Sequence, residues 1–158
     1  MQRDAHPLIQ FMKYSIGGAT ASVVDIVAFY ALCIWVLPAI GQDDVILKIL
    51  PFDVDVPLIT DAVRSNRFAV NSLIAFFFSN TTAYVINIFW VFHRGRHKWY
   101  VEMGLFYLVS GISIFIGTLL GYLAIQILGL STTVSFVTKG VSALLINFVC
   151  RKYVIFKG

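Results

Sequence analysis

The sequence predicts an all-α integral membrane protein of four transmembrane helices, built as two hairpin repeats of parallel orientation with both termini in the cytoplasm. Three observations carry that expectation. Hydrophobic residues make up 59% of the 158 positions and charged residues only 13%, where ordinary soluble domains carry about 25% charged residues. Four stretches, 11–37, 68–92, 104–128 and 134–156, each reach the roughly 20 apolar residues needed to cross about 30 Å of hydrocarbon. The basic residues gather at one set of helix ends. Together the four stretches make residues 1–158 a single membrane domain with no room for a soluble one.

The first stretch, 11–37, is too long for a secretory signal, and no small-residue cleavage pattern follows it before Pro38. It reads as an uncleaved first helix. The segment 39–67 is the outer loop, punctuated by Pro51 and Pro57. Val-Asp alternation around Asp53 and Asp55 suggests a short extended piece or hairpin. Ile46, Leu47, Ile49, Leu50 and Phe52 are too apolar for a free linker, so part of this loop is expected to cap the bundle. The second stretch, 68–92, leads into His93-Arg94-Gly95-Arg96-His97-Lys98, and an uncharged turn separates the third stretch from the fourth.

Orientation follows from charge, because translocating Lys and Arg is unfavourable. Arg3 and Lys13, then Arg94, Arg96 and Lys98, then Arg151, Lys152 and Lys157 place eight of the twelve basic residues on one side. The outer loop sets Lys48, Arg64 and Arg67 against five aspartates. Trp35, Trp90 and Trp99 fall near helix ends, where amphipathic rings prefer to lie. The net charge of +4 is too small in so apolar a chain to argue for nucleic acid. Cys33 and Cys150 have no CxxC spacing and no histidine cluster, which points to no metal and no cofactor.

The halves resemble each other. Lys13-Tyr14-Ser15-Ile16-Gly17-Gly18 aligns over Phe106-Tyr107-Leu108-Val109-Ser110-Gly111, and the ends of the second and fourth stretches align likewise. Such parallel repeats are related by an axis along the membrane normal. Gly17 and Ala21, Gly18 and Ser22, and Ser113, Gly117 and Gly121 are spaced by four. These stripes suit close helix packing, within the chain or in a homodimer.

Polar residues at membrane depth are the candidate site. Asp25 lies near the middle of the first helix, where an acidic group is unfavourable by roughly 2.5–3.5 kcal/mol and must face protein or water. Lys139 either reaches out to the interface or faces inward to pair with Asp25 or with a ligand phosphate. Asn147 and Arg151 continue down the fourth helix, and Asn80, Tyr84 and Asn87 share one face of the second. At the basic mouth, Arg94, Arg151 and Lys152 are candidates to bind phosphate, a task suited to the planar guanidinium fork.

These features resemble the GtrA-like family of small four-helix membrane proteins. The matching residues are Phe11-Met12-Lys13-Tyr14 with Gly17-Gly18 and Asp25, Asn87-Ile88-Phe89-Trp90-Val91-Phe92, and Asn147-Phe148 with Arg151-Lys152-Tyr153-Val154-Ile155-Phe156. Ile88 stands where the family usually has arginine, and the first loop is longer than usual. The resemblance implies a bacterial inner-membrane protein that flips a polyprenyl-phosphate-linked sugar to the outer leaflet for envelope polysaccharide modification. Taken with the polar residues at membrane depth and the basic mouth, it makes Asp25, Asn80, Asn87, Lys139, Asn147, Arg151, Lys152 and Arg94 the expected substrate contacts.

No Walker-type loop, nucleophile–base pair or catalytic carboxylate pair is present, so an enzyme is not expected. Two other readings compete. A non-catalytic subunit anchoring a membrane glycosyltransferase would co-purify with it and move no lipid. A small multidrug-type exporter would bind cationic dyes through Asp25, a task that Lys139 would oppose.

Overall fold

The computed structural model describes residues 7–91 and 99–150. Four helices account for most of them. Helix α1 runs Pro7–Ala31 and continues through a wider π turn, Leu32–Val36; a 3-10 turn at Val45–Lys48 interrupts the following loop. Helix α2 runs Asp61–Ile86 and ends in a second π turn, Asn87–Val91. Helices α3, Trp99–Leu128, and α4, Thr132–Cys150, complete the bundle. No strand forms among the described residues. Segments Ser15–Val36, Asp61–Trp90 and Phe106–Leu128 are long and apolar enough to cross a membrane. The 19 described residues of α4 rise about 28 Å at 1.5 Å per residue.

The second helix begins earlier than its apolar run. The Thr60 hydroxyl accepts the Val63 N–H, and Asp61 occupies the first turn, where a negative charge suits the helix dipole. Arg64 and Arg67 therefore belong to α2 and not to the loop. Arg64 turns back to Asp61 at 2.8 Å, and Arg67 donates to the Pro38 carbonyl at 2.9 Å. The hairpin suggested around Asp53 and Asp55 is absent, since an isolated strand pair has little to stabilise it.

Of the loop residues expected to cap the bundle, Ile46 and Leu47 pack against the core, whereas Ile49 and Phe52 are exposed. Ala39, Ile40 and Asp44 are buried. The Asp44 carboxylate accepts the Ile46 N–H at 3.2 Å and the Thr133 N–H at 3.0 Å, tying the loop to the start of α4. The Thr132 hydroxyl donates to the Ala39 carbonyl. Between α3 and α4, Gly129 takes φ of 62°, a left-handed conformation that glycine adopts without strain. Its N–H and that of Leu130 return to the carbonyls of Ile125 and Ala124.

The radial distribution is inverted relative to a water-soluble bundle. Val27, Phe115, Ile127 and Val137 point outward, while Asn71, Ser72, Asn80, Thr118, Ser135 and Lys139 are buried. A bilayer favours this arrangement, because lipid tails accept aliphatic side chains and polar groups must find protein. The apolar core sits at the loop end, where Phe29, Cys33, Ala39, Ile40, Phe68 and Ile125 cluster. Helices pack in sequence, α1 on α2, α2 on α3 and α3 on α4. Gly117 and Gly121 close the last of these interfaces. A Cβ at Gly117 would lie 2.6 Å from the Lys139 carbonyl oxygen, so the two backbones meet there.

Candidate binding cavity

Asp25 and Lys139 meet at the centre of the bundle. Lys139 Nζ lies 3.0 Å from Asp25 Oδ2, and the Ser79 hydroxyl donates to Asp25 Oδ1 at 3.3 Å. The lysine takes the inward course of the two open to it. Its side chain is 1% exposed, with the Phe136 ring centre 4.2 Å and the Phe29 ring centre 5.4 Å from Nζ. Two aromatic faces and one carboxylate thus compensate an ammonium that water does not reach. Asp25 retains 19% exposure, so the pair has a wet side and a dry side.

The wet side is a cavity of about 400 Å³, bounded by all four helices and by both members of the pair. It extends from the pair toward the N-terminal ends of α1 and α3 and the C-terminal ends of α2 and α4, reaching Ala21, Ala83, Ser110 and Ala143. Besides the pair, its polar groups are Ser22 on α1, Ser79 and Asn80 on α2, and Ser110 and Ser113 on α3. Asn80 Oδ1 accepts the Ser110 hydroxyl at 2.9 Å, while its Nδ2 has no hydrogen-bond partner among the described residues. A buried amide with an unused donor at a cavity wall suits a hydroxyl or phosphate oxygen. Ala21, Ala83, Gly140 and Ala143 leave the space open. Ser22 and Ile26 are exposed, so the cavity reaches the outer surface of the bundle beside α1.

The dry side is closed. Phe29 stacks on Phe136 at 4.2 Å and meets Phe68 edge-on at 5.4 Å. One turn of α4 further, the Tyr30 hydroxyl donates to Thr133 Oγ1 at 2.9 Å. Helices α1 and α4 therefore join through side chains on the loop side of the pair.

Of the residues singled out in the sequence, Asp25, Asn80 and Lys139 converge on this cavity. Tyr84 and Asn87 follow Asn80 toward the terminus end of α2. Tyr84 is buried against Phe106, and Asn87 Oδ1 has no partner among the described residues. Asn147 falls on α4 two turns beyond Lys139. Its side chain, together with Arg94, Arg151 and Lys152, lies outside the described residues. Ser79, Ser110 and the Phe29–Phe136 stack are additions. A serine in an apolar helix carries little signal alone, although Ser79 adjoins Asn80 and Ser110 lies in the matched segment of the second half.

Residues 58–156 match the family model described as GtrA/DPMS, transmembrane domain. The match spans α2, α3 and α4 and begins after Asp25. No curated protein and no solved structure matches the chain.

Proposed function

The chain belongs to the GtrA/DPMS transmembrane-domain family, which links it to the handling of lipid-linked sugars, and from that premise we propose that it moves a polyprenyl-phosphate-linked monosaccharide from the cytoplasmic to the outer leaflet. The observation that carries the reading is the cavity itself. It has one buried ammonium, one unused amide donor and an edge that reaches the lipid-facing surface.

A phosphate and a ring of hydroxyls cannot cross hydrocarbon unaided, because each unpaired polar group costs several kcal/mol, on the order of 2–7. In the proposed cycle the head group enters beside Ser22 and Ile26 while the polyprenyl chain stays in lipid. The phosphate takes Lys139 from Asp25, and Asn80, Ser79 and Ser110 bond sugar hydroxyls. The volume of about 400 Å³ falls in the range of roughly 300–1,000 Å³ that ligand pockets occupy. The proposal includes α4 as a fourth span, both termini in the cytoplasm of a bacterial inner membrane, and Arg94, Arg151 and Lys152 gathering phosphate at the cytoplasmic mouth. The protein acts by translocation and not as an enzyme. Lys139 at the cavity wall disfavours a cationic cargo.

The test is reconstitution of the full chain into liposomes with a labelled polyprenyl-phosphate hexose, following accessibility to an external reagent over time. Wild type is expected to expose the lipid. Asn80→Leu, which removes an unpaired donor and fills the wall, is expected to slow the exchange at least tenfold with no loss of thermal stability. Co-purification with a glycosyltransferase, together with no lipid movement by the isolated protein, would replace this reading with that of a membrane anchor.

A further inference from the structure

Beyond Lys139 toward the loop, polar side chains are buried beside the apolar core. Four side chains there are at least nine-tenths buried and hold an oxygen without a hydrogen-bond partner among the described residues. They are Asn71 Oδ1, Ser72 Oγ, Thr118 Oγ1 and Ser135 Oγ. Hydroxyls on helices commonly return their proton to a carbonyl one turn back, as Thr20, Ser22, Thr81 and Thr138 do in this chain. Ser72, Thr118 and Ser135 do not.

The four lie within about one helical turn of depth. A Cβ at Gly121 would lie 2.6 Å from the Phe68 ring and 3.0 Å from the Ser135 carbonyl, so Phe68, Gly121 and Ser135 stand at one level. Asn71, Ser72 and Thr118 are three or four residues nearer the pair, about 4.5–6 Å at 1.5 Å per residue. Lys139 lies one turn inward of Ser135 on α4. The unpaired oxygens, drawn from α2, α3 and α4, therefore fill one slab about a turn thick, from the level of the Lys139 backbone outward to Ser135.

Buried polar groups in folded proteins nearly always find partners, and one left alone calls for an explanation. Four within one turn of depth, next to a cavity that Lys139 bounds, make a set in need of a partner. We propose that Asn71, Ser72, Thr118 and Ser135 are the outward half of the head-group path and accept a hydroxyl-rich, sugar-class group once the Phe29, Phe68 and Phe136 rings part. This inference rests on the translocation reading. Asn71 is pre-positioned for the task, since its Nδ2 bonds Cys33 Sγ at 3.1 Å and the Leu37 carbonyl at 2.9 Å and leaves its oxygen unused.

The test uses the full chain in liposomes with the same labelled hexose lipid, comparing wild type with Ser72→Ala/Ser135→Ala and with Thr118→Val. Removing unpaired oxygens is expected to leave the unfolding midpoint equal or higher. Lipid binding by detergent-solubilised protein is expected to be unchanged, and translocation is expected to slow at least tenfold. Rates within twofold of wild type would overturn the proposal, and so would rates that fall together with the midpoint. A second measurement places a single thiol, Ser135→Cys, in a Cys33→Ala/Cys150→Ala background. A charged thiol reagent outside the vesicle is expected to label it during turnover, and absence of label would equally overturn the path. Wild-type vesicles that move no lipid would sink the translocation reading and the path with it. Moving wild type beside unaffected variants would sink the path alone.

Discussion

Replacing Lys139 by methionine leaves the Asp25 carboxylate without its cation. The two groups stand 3.0 Å apart in the wild-type chain, the lysine enclosed and the aspartate 19% exposed. Removing one member of a buried ion pair destabilises by about 3–5 kcal/mol, because the survivor stays buried and uncompensated. Asp25 keeps the Ser79 hydroxyl and some exposure, which places Lys139→Met at the lower end, about 3 kcal/mol. Asp25→Asn strands the more deeply enclosed partner. The ring faces of Phe29 and Phe136 offset part of that loss, by about 0.5–2 kcal/mol, so a similar total is expected. The double variant has no charge left to strand, and its stability is expected to return close to wild type.

Equilibrium unfolding of the four proteins in mixed micelles with rising dodecyl sulfate closes the cycle. A coupling of at least about 2 kcal/mol is expected, where an ordinary interhelical hydrogen bond gives about 0.6. If the double variant instead loses the sum of the two singles to within about 0.5 kcal/mol, the pair is not an energetic unit and the reasoning fails.

Further outcomes follow from the packing and the loop. Gly117→Ala is expected to destabilise by about 1–3 kcal/mol in the same titration, since its Cβ would meet the Lys139 carbonyl at 2.6 Å and neither backbone yields cheaply. Gly18→Ala, with nothing within 4 Å of the added carbon, is expected to stay within about 0.5 kcal/mol of wild type. Asp44→Ala removes acceptors for two backbone N–H groups and is expected to lower stability by about 1–2 kcal/mol. Limited proteolysis within residues 39–60 is expected to quicken in that variant.

The sequence makes some of this architecture readable because polarity stands out against an apolar background. Asp25, Asn80 and Lys139 are unfavourable at their depth unless something answers them, and the structure brings all three to one cavity. Apolar length alone located the helices but not their ends. Arg64 and Arg67 looked like loop residues by charge, whereas the Thr60 cap extends α2 through them. The aromatic closure was invisible for the opposite reason. Phenylalanine is so frequent in this chain that nothing distinguishes Phe29 or Phe136 until their stacking is seen. The unpaired hydroxyls of Ser72 and Ser135 carry no sequence signal at all, because an unpaired serine and a paired one are spelled alike.

The Asp44 strap stiffens the loop end of the bundle. Its carboxylate fastens the loop to α4, while Arg67 and Asn71 fasten the exit of α1 to α2 through Pro38 and Leu37. Three helix tips are thereby hinged together like the spring of a clothes-peg. Levering them apart requires several bonds to yield at once, so spreading at that end is concerted, with a threshold in place of graded compliance.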